Sequence, residues 1–273
     1  MRISRRKLTS AQIPISPSHQ AYIKKYLTMI RNVRIYQLLI IVSFITLWEI
    51  TTRLGLLNSF IFSSPSRVIK CFFEMAVDGS IFYHIGITLL ETFVSFLLVN
   101  VIGILVAVLL WWNESIAKVL EPYLVVLNSL PKSALAPVFI VWLGNNMKTI
   151  IVAAVSVAVF GSIITLYTDF ITVEEDKIKL IHTLGGGKRD VLCKVVIPSN
   201  IASIISVMKV NIGLSLVGVI IGEFLAAKAG LGYLIIYGSQ VFKLDWVIMS
   251  IVILCIMATG LYQLLAYFER KFK

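Results

Sequence analysis

Thr149-Ile-Ile-Val-Ala-Ala-Val-Ser-Val-Ala-Val-Phe-Gly-Ser-Ile-Ile-Thr-Leu-Tyr-Thr-Asp-Phe170 carries one charge, Asp169, near its end, and no proline. A helix needs about 20 mostly apolar residues to cross a hydrocarbon core of about 30 Å. This stretch meets that requirement. Comparable runs occupy 35–56, 89–112, 123–143, 201–226 and 246–268. The first is interrupted by Glu49 and Arg53, and the third by Pro131 and Pro137. The expected fold is therefore all-α, a polytopic membrane protein with six transmembrane helices. Its parts are a basic segment over 1–34, a membrane domain over 35–268 with a polar loop at 171–200, and a short tail over 269–273.

Composition agrees. Of 273 residues, 58% are apolar and 14% charged, and the mean hydropathy is +0.91. A soluble domain carries about 25% charged residues and lacks the interior to hide so much apolar surface. A freely soluble enzyme, a disordered chain and a DNA-binding domain are thereby disfavoured. Cys71, Cys193 and Cys255 are isolated, without CxxC spacing, and the three histidines are scattered, so neither a disulfide framework nor a metal centre is suggested. About 34 polar or basic residues precede the first span and no small-residue cleavage site follows it, so that span reads as an uncleaved anchor.

The net charge of +11 has two readings, nucleic acid or membrane orientation. Position separates them. Residues 1–34 hold eight Lys and Arg and no acid. With that segment cytoplasmic, six spans place 171–200 and the tail on the same side, so that 17 of the 25 basic residues lie inside and six outside. Both termini are expected in the cytoplasm, and no nucleic-acid partner is expected.

The 171–200 loop is long for a connector. Glu174, Glu175 and Asp176 suit a helix N-terminus, and Ile178, Ile181 and Leu184 follow at helical spacing. Gly185-Gly186-Gly187 stops that helix. Val191, Leu192 and Val195 form a second apolar face before Pro198. A helix–turn–helix is expected. A phosphate-cradling loop is disfavoured, because the GxxxxGK spacing is absent and a helix precedes the glycines where a strand is required. A docking hairpin and an interfacial helix lying on the membrane both remain.

Gly185 is followed, after nine residues, by Val195-Val196-Ile197-Pro198. This register resembles the EAA loop of the inner-membrane permease subunits of binding-protein-dependent ABC importers. The opening Glu-Ala-Ala is replaced by Lys179-Leu180-Ile181, which leaves Glu175 as the stand-in acid. Ser129-Leu130-Pro131-Lys132-Ser133-Ala134-Leu135-Ala136-Pro137 resembles the third span of the nitrate/sulfonate/taurine branch, and Gly230-Leu231-Gly232-Tyr233-Leu234-Ile235 its motif between the last two spans. Three such motifs in order are more specific than any one.

The resemblance implies a type I importer permease working with P-loop ATPase subunits, an extracytoplasmic solute-binding protein and a second permease copy, in a bacterial inner membrane. The chain itself has no Walker A motif, so ATP and Mg are expected on the partner, with no cofactor or catalysis here. The implied ATPase-coupling residues are Glu175, Leu184, Gly185, Gly186, Gly187, Val191, Leu192, Val195 and Pro198. The apolar members are expected to fill a cleft on the ATPase.

Polar groups inside spans normally face protein or water. Asn128, Ser129, Pro131, Lys132, Ser133, Asn211 and Ser215 are therefore candidates for a substrate path. For Lys132, path lining and structural pairing both stand; a basic path would suit a small organic anion such as a sulfonate, or nitrate. Lys209 is a further path candidate, with snorkelling from the span end as its alternative, and Glu223, near the other end of that span, is expected to snorkel likewise. Gly230, Gly232 and Tyr233 are candidate receptor contacts, with an aromatic belt the alternative for Tyr233 and Tyr237. Gly218, Gly222 and Ala226 form a small-xxx-small stripe, open to a contact between subunits or to packing within one. A permease for a vitamin precursor, a membrane enzyme, a scaffold subunit and a stand-alone secondary transporter are the alternatives; the last usually shows internal repeats or more spans.

Overall fold

The computed structural model describes residues 17–272, and every regular element among them is helical. The basic side chains Arg2, Arg5, Arg6 and Lys7 lie outside the described residues. Contacts divide the chain into two compact units, 1–59 and 60–273.

The first unit is dominated by α1 (Pro17–Arg53). Over 25–53 it is long and apolar enough to cross a membrane. Glu49 and Arg53, which interrupt the apolar run, sit one helical turn apart and form an ion pair at 2.6 Å.

The second unit continues from the short α2 (Ser59–Phe62) into α3 (Pro65–Val77), α4 (Ser80–Trp112), α5 (Glu114–Ser129), α6 (Lys132–Leu143) and α7 (Met147–Ile171). A hairpin follows: α8 (Glu175–Thr183), α9 (Lys188–Val191), a π-helical turn over Leu192–Val196, and α10 (Ile197–Ser199). The chain ends with α11 (Ile201–Ala226), α12 (Leu231–Gln240) and α13 (Leu244–Phe272). Ser64 caps α3, accepting from the Arg67 N–H, with Pro65 as the first helical residue.

The central trio is α4, α7 and α11. Its interior is more polar than its exterior, as a lipid-facing bundle requires. On α4 the buried face carries Thr88, Glu91, Thr92, Ser95 and Asn100, while Phe93, Leu97, Val101 and Leu105 are exposed at four-residue spacing. Asn211 of α11 donates to Asn100 Oδ1 and to Ser162 Oγ of α7, each at 3.0 Å, so one amide bridges three helices. Gly218 and Gly222 bring α11 onto α7: an added Cβ would stand 2.6 Å from Ala154 Cα and 3.0 Å from Ile150 Cα. The small-residue stripe is thus used for packing within one chain.

The third apolar run is not one rod. Its halves, α5 and α6, meet at 96° across Leu130-Pro131. Pro131 cannot donate a backbone hydrogen bond and restricts its predecessor. Pro137, expected to break the span as well, lies inside α6 without ending it. The pair still carries the chain from one end of the bundle to the other. Trp112, at the end of α4, is held by Lys188 of the hairpin. Met147 begins α7, whose 25 residues span about 37 Å before the hairpin is reached. Residues 113 and 147 therefore lie at opposite ends.

Candidate functional site

The hairpin is built from its turn. Gly185 adopts φ +80°, the left-handed geometry that ends helices. Its N–H bonds the His182 carbonyl at 3.0 Å and the Gly186 N–H bonds that of Ile181 at 2.9 Å, a Schellman closure of α8. Gly187 then caps α9, and Asp190 Oδ2 returns to accept the Gly187 N–H at 3.0 Å. Lys194 pairs with Asp190 at 2.7 Å. Lys194 and the Gly187 N–H hold the Asp190 carboxyl below the usual range. Pro198 offers no N–H to the ladder. The turn before it widens, so that the Ile197 N–H reaches back to the Leu192 carbonyl.

This hairpin has two sides. Val191, Leu192 and Val196 are buried with Ala107 of α4, Leu166 and Phe170 of α7 and Val207 of α11, and Ile178 and Ile181 of α8 pack on the same cluster. Val195 is also buried. The expectation that Val191, Leu192 and Val195 enter a partner's cleft is therefore corrected: they anchor the hairpin to its own bundle. The outward side consists of α8 and the turn, where Leu184 is 76% exposed and Leu180 58%. Glu175 is outward too, paired with Lys179 at 3.0 Å, so the lysine that replaces the motif's acid neutralises its stand-in.

The path candidates separate. Lys132 folds back at the break, its ammonium donating to the carbonyls of Leu127 and Asn128 and standing over the Phe160 ring at 5.5 Å. It thus closes the C-terminal end of α5, whose last carbonyls lack helical partners. Asn128, Ser129, Pro131 and Ser133 are exposed around it. Asn211 and Ser215 are buried inside the trio, which removes them from any path in this conformation. Lys209 pairs with Glu269 of α13.

The end of the bundle away from the hairpin holds a site that the sequence did not disclose. Glu223, expected to snorkel, is 1% exposed. Thr88 donates to its Oε1 at 2.7 Å, and the Gly232 N–H donates to Oε2 at 2.5 Å. The Thr88 hydroxyl accepts from the Leu231 N–H at 2.9 Å, and His84 Nδ1 from the Gly230 N–H at 3.0 Å. The N–H groups of Gly230, Leu231 and Gly232 are thus taken by side chains of α4 and α11, and the Glu223 carboxyl stands at the N-terminus of α12. Glu91, 2% exposed, is an electrostatic neighbour of Glu223, and its Oε2 is buried with no hydrogen-bond partner among the described residues. Gly230 and Gly232 are buried in this arrangement, which corrects their assignment as receptor contacts. Tyr233 is half-buried in a stack running from His84 through Tyr233 and Tyr237 to Trp246, with centroids 5.7–6.1 Å apart.

Residues 99–273 match the family described as Binding-protein-dependent transport system inner membrane component. Among similar proteins, the formylaminopyrimidine transport permease protein ThiX of Halalkalibacterium halodurans is 27% identical over 187 residues, covering 68% of this chain and 74% of that one. The putative aliphatic sulfonates transport permease protein SsuC of Bacillus subtilis is 23% identical over 83% of this chain and 82% of its own. The taurine transport system permease protein TauC of Escherichia coli is 20% identical over 78% and 80%. A chain of the MetNI methionine ABC transporter, in an inward-facing conformation, superposes with a TM-score of 0.63 at 18% identity, covering 72% of this chain and 98% of that one, which establishes the shared fold. With a matched region that covers more than half of the chain and holds the hairpin and the broken span, the chain belongs to the family of binding-protein-dependent transport system inner membrane components, the permease subunits of ABC importers.

Proposed function

We propose that this permease takes its drive from a separate P-loop ATPase at the outward side of the α8–α10 hairpin, and that two copies enclose the path. ATP and Mg reside on the ATPase. An extracytoplasmic solute-binding protein delivers the solute at the α12 end, and both termini lie in the cytoplasm of a bacterial inner membrane. The observation that carries this reading is the hairpin's two-sidedness. Its inner side is fused to α4, α7 and α11, and its outer side presents α8 and Leu184 unoccupied by this chain. A push on the outer side must move the bundle.

The solute in this reading is a small organic anion such as a sulfonate, or nitrate, supported by the sulfonate and taurine names of two relatives. A vitamin precursor is the second reading. It is favoured by the Lys132 ammonium being engaged by two carbonyls and a ring, which takes away one cation an anion would use.

The test is to purify a tagged chain from its native membrane. A P-loop ATPase is expected to come with it, and Leu184→Cys is expected to cross-link to that ATPase through a short thiol linker. Purification without an ATPase, or cross-linking from Val191→Cys but not from Leu184→Cys, would overturn the reading.

A further inference from the structure

Lys188 begins α9, yet its side chain leaves the hairpin. Its ammonium donates to the Trp112 carbonyl at 2.5 Å and stands 5.8 Å from the ring centroids of both Trp111 and Trp112. Trp112 is the last residue of α4, where the carbonyls are unsatisfied and carry the negative end of the helix dipole. Two indole faces add to the hold on a cation there.

What lies immediately beyond gives this contact its meaning. Asn113 alone separates α4 from α5, and its side chain caps α5 by accepting from the Ser115 and Ile116 N–H groups at 3.0 and 3.2 Å. Glu114, the first residue of α5, lies within electrostatic reach of Lys188. Beside the apolar contact of Trp111 with the hairpin cluster, Lys188 is thus a polar tie from the hairpin to the elbow from which the broken span departs.

The apolar hairpin contacts reach Trp111 and otherwise go to the trio, which the Asn100–Asn211–Ser162 bridge and the glycine contacts at Gly218 and Gly222 lock together. The broken span is different. Ala117 is the only buried residue of α5 and Ala136 that of α6, and the two meet at 96°. It is the least anchored crossing of the second unit, and it carries the exposed polar groups Asn128, Ser129 and Ser133.

We infer that Lys188 is a positioning residue that transmits movement of the hairpin to the α4–α5 elbow and so to the broken span α5–α6. The inference rests on the coupling reading above and names the side chain through which coupling reaches the path. Loss of the ammonium frees the elbow while the apolar anchor of the hairpin stays in place. Arginine keeps both the donor and the cation–ring contact, so it retains the tie.

The experiment uses the complete importer with its ATPase subunits, in which Cys193 and Cys255 are replaced by serine. Spin labels are placed at Val126→Cys on α5 and Val217→Cys on α11, both exposed. The distance between them is measured with and without ATP-vanadate. The parent and Lys188→Arg are expected to show a shift on ATP-vanadate, and Lys188→Met none. A shift in Lys188→Met equal to that of the parent overturns the inference, as does a parent that binds the ATPase and traps vanadate without any shift. Absence of an ATPase from the purified parent refutes the coupling reading itself and is seen before any label is read. Should Lys188→Met fail to assemble, Lys188→Ala decides. It is expected to show no shift, and a shift equal to that of the parent overturns the inference.

Discussion

Glu223 shows how far a single residue can be read. The sequence places an acid in an apolar run eight residues before Leu231, which marks it as costly, but its side-chain partner Thr88 stands 135 residues away. Local pattern therefore suggests snorkelling, whereas the fold encloses the carboxylate with N–H and hydroxyl donors. Glu223 accepts from Thr88 and from the Gly232 N–H, whereas Glu91 Oε2 is buried with no hydrogen-bond partner among the described residues. Glu91→Gln leaves the bonds of Glu223 in place and is expected to be nearly silent. Glu223→Gln offers one acceptor oxygen where two stood, so the bond from Thr88 or from the Gly232 N–H is lost, at a cost of about 1.5–3 kcal/mol. Thermal unfolding of the purified chain in detergent checks the order, with Glu223→Gln well below Glu91→Gln. The reverse order would refute the central place of Glu223 in this cluster.

At the scale of elements, the hairpin was legible because its signals are local. Acids open α8, three glycines end it, and Pro198 closes the second helix, each acting within a turn of itself. Which face of the second helix points inward was not legible. Val191, Leu192 and Val195 suit a partner's cleft as well as the chain's own core, and only the proximity of Ala107, Phe170 and Val207 decides. The third span gave the same division: Pro131 announced a break, but not a 96° bend, nor that Lys132 would turn back to close it. The polar clasp of the hairpin has a pH signature. Asp190 is held low first by Lys194 and then by the Gly187 N–H. A carboxyl lowered on folding contributes stability above its ordinary range and loses it as pH falls through the lowered value. The turn is therefore expected to be firm at neutral pH and to loosen in acid. Amide exchange over 187–191, corrected for intrinsic rates, should accelerate on going from pH 7 to below 4. Asp190→Asn should already exchange fast at pH 7 and show no further change.

For the whole molecule, the charge of +11 and the parity of crossings make one argument. Trp112 and Lys188 meet at one end of the second unit, and α5–α6 delivers the chain to Met147 at the other, so the broken span counts as a crossing despite its bend. Lys177, Lys179, Lys188, Arg189 and Lys194 stand on the hairpin, and in the reading proposed above the positive-inside rule assigns that end to the cytoplasm. Native cysteines report on this directly. Cys193 is exposed on the hairpin. Cys71 is buried on α3, and burial together with Asp245 and Glu74 pushes its thiol up to about 11. The thiolate is the reactive form, so Cys71 stays silent near neutrality. With Cys255 replaced by serine, a membrane-impermeant maleimide at pH 7 is expected to label inside-out vesicles at Cys193 and to leave right-side-out vesicles unlabelled. Asn145→Cys, in the exposed turn before α7, should show the opposite preference. Labelling of both positions from the same side would mean that residues 147–171 do not cross. Labelling of Cys193 from outside alone would invert the chain and place the hairpin beyond the reach of any ATP-driven partner.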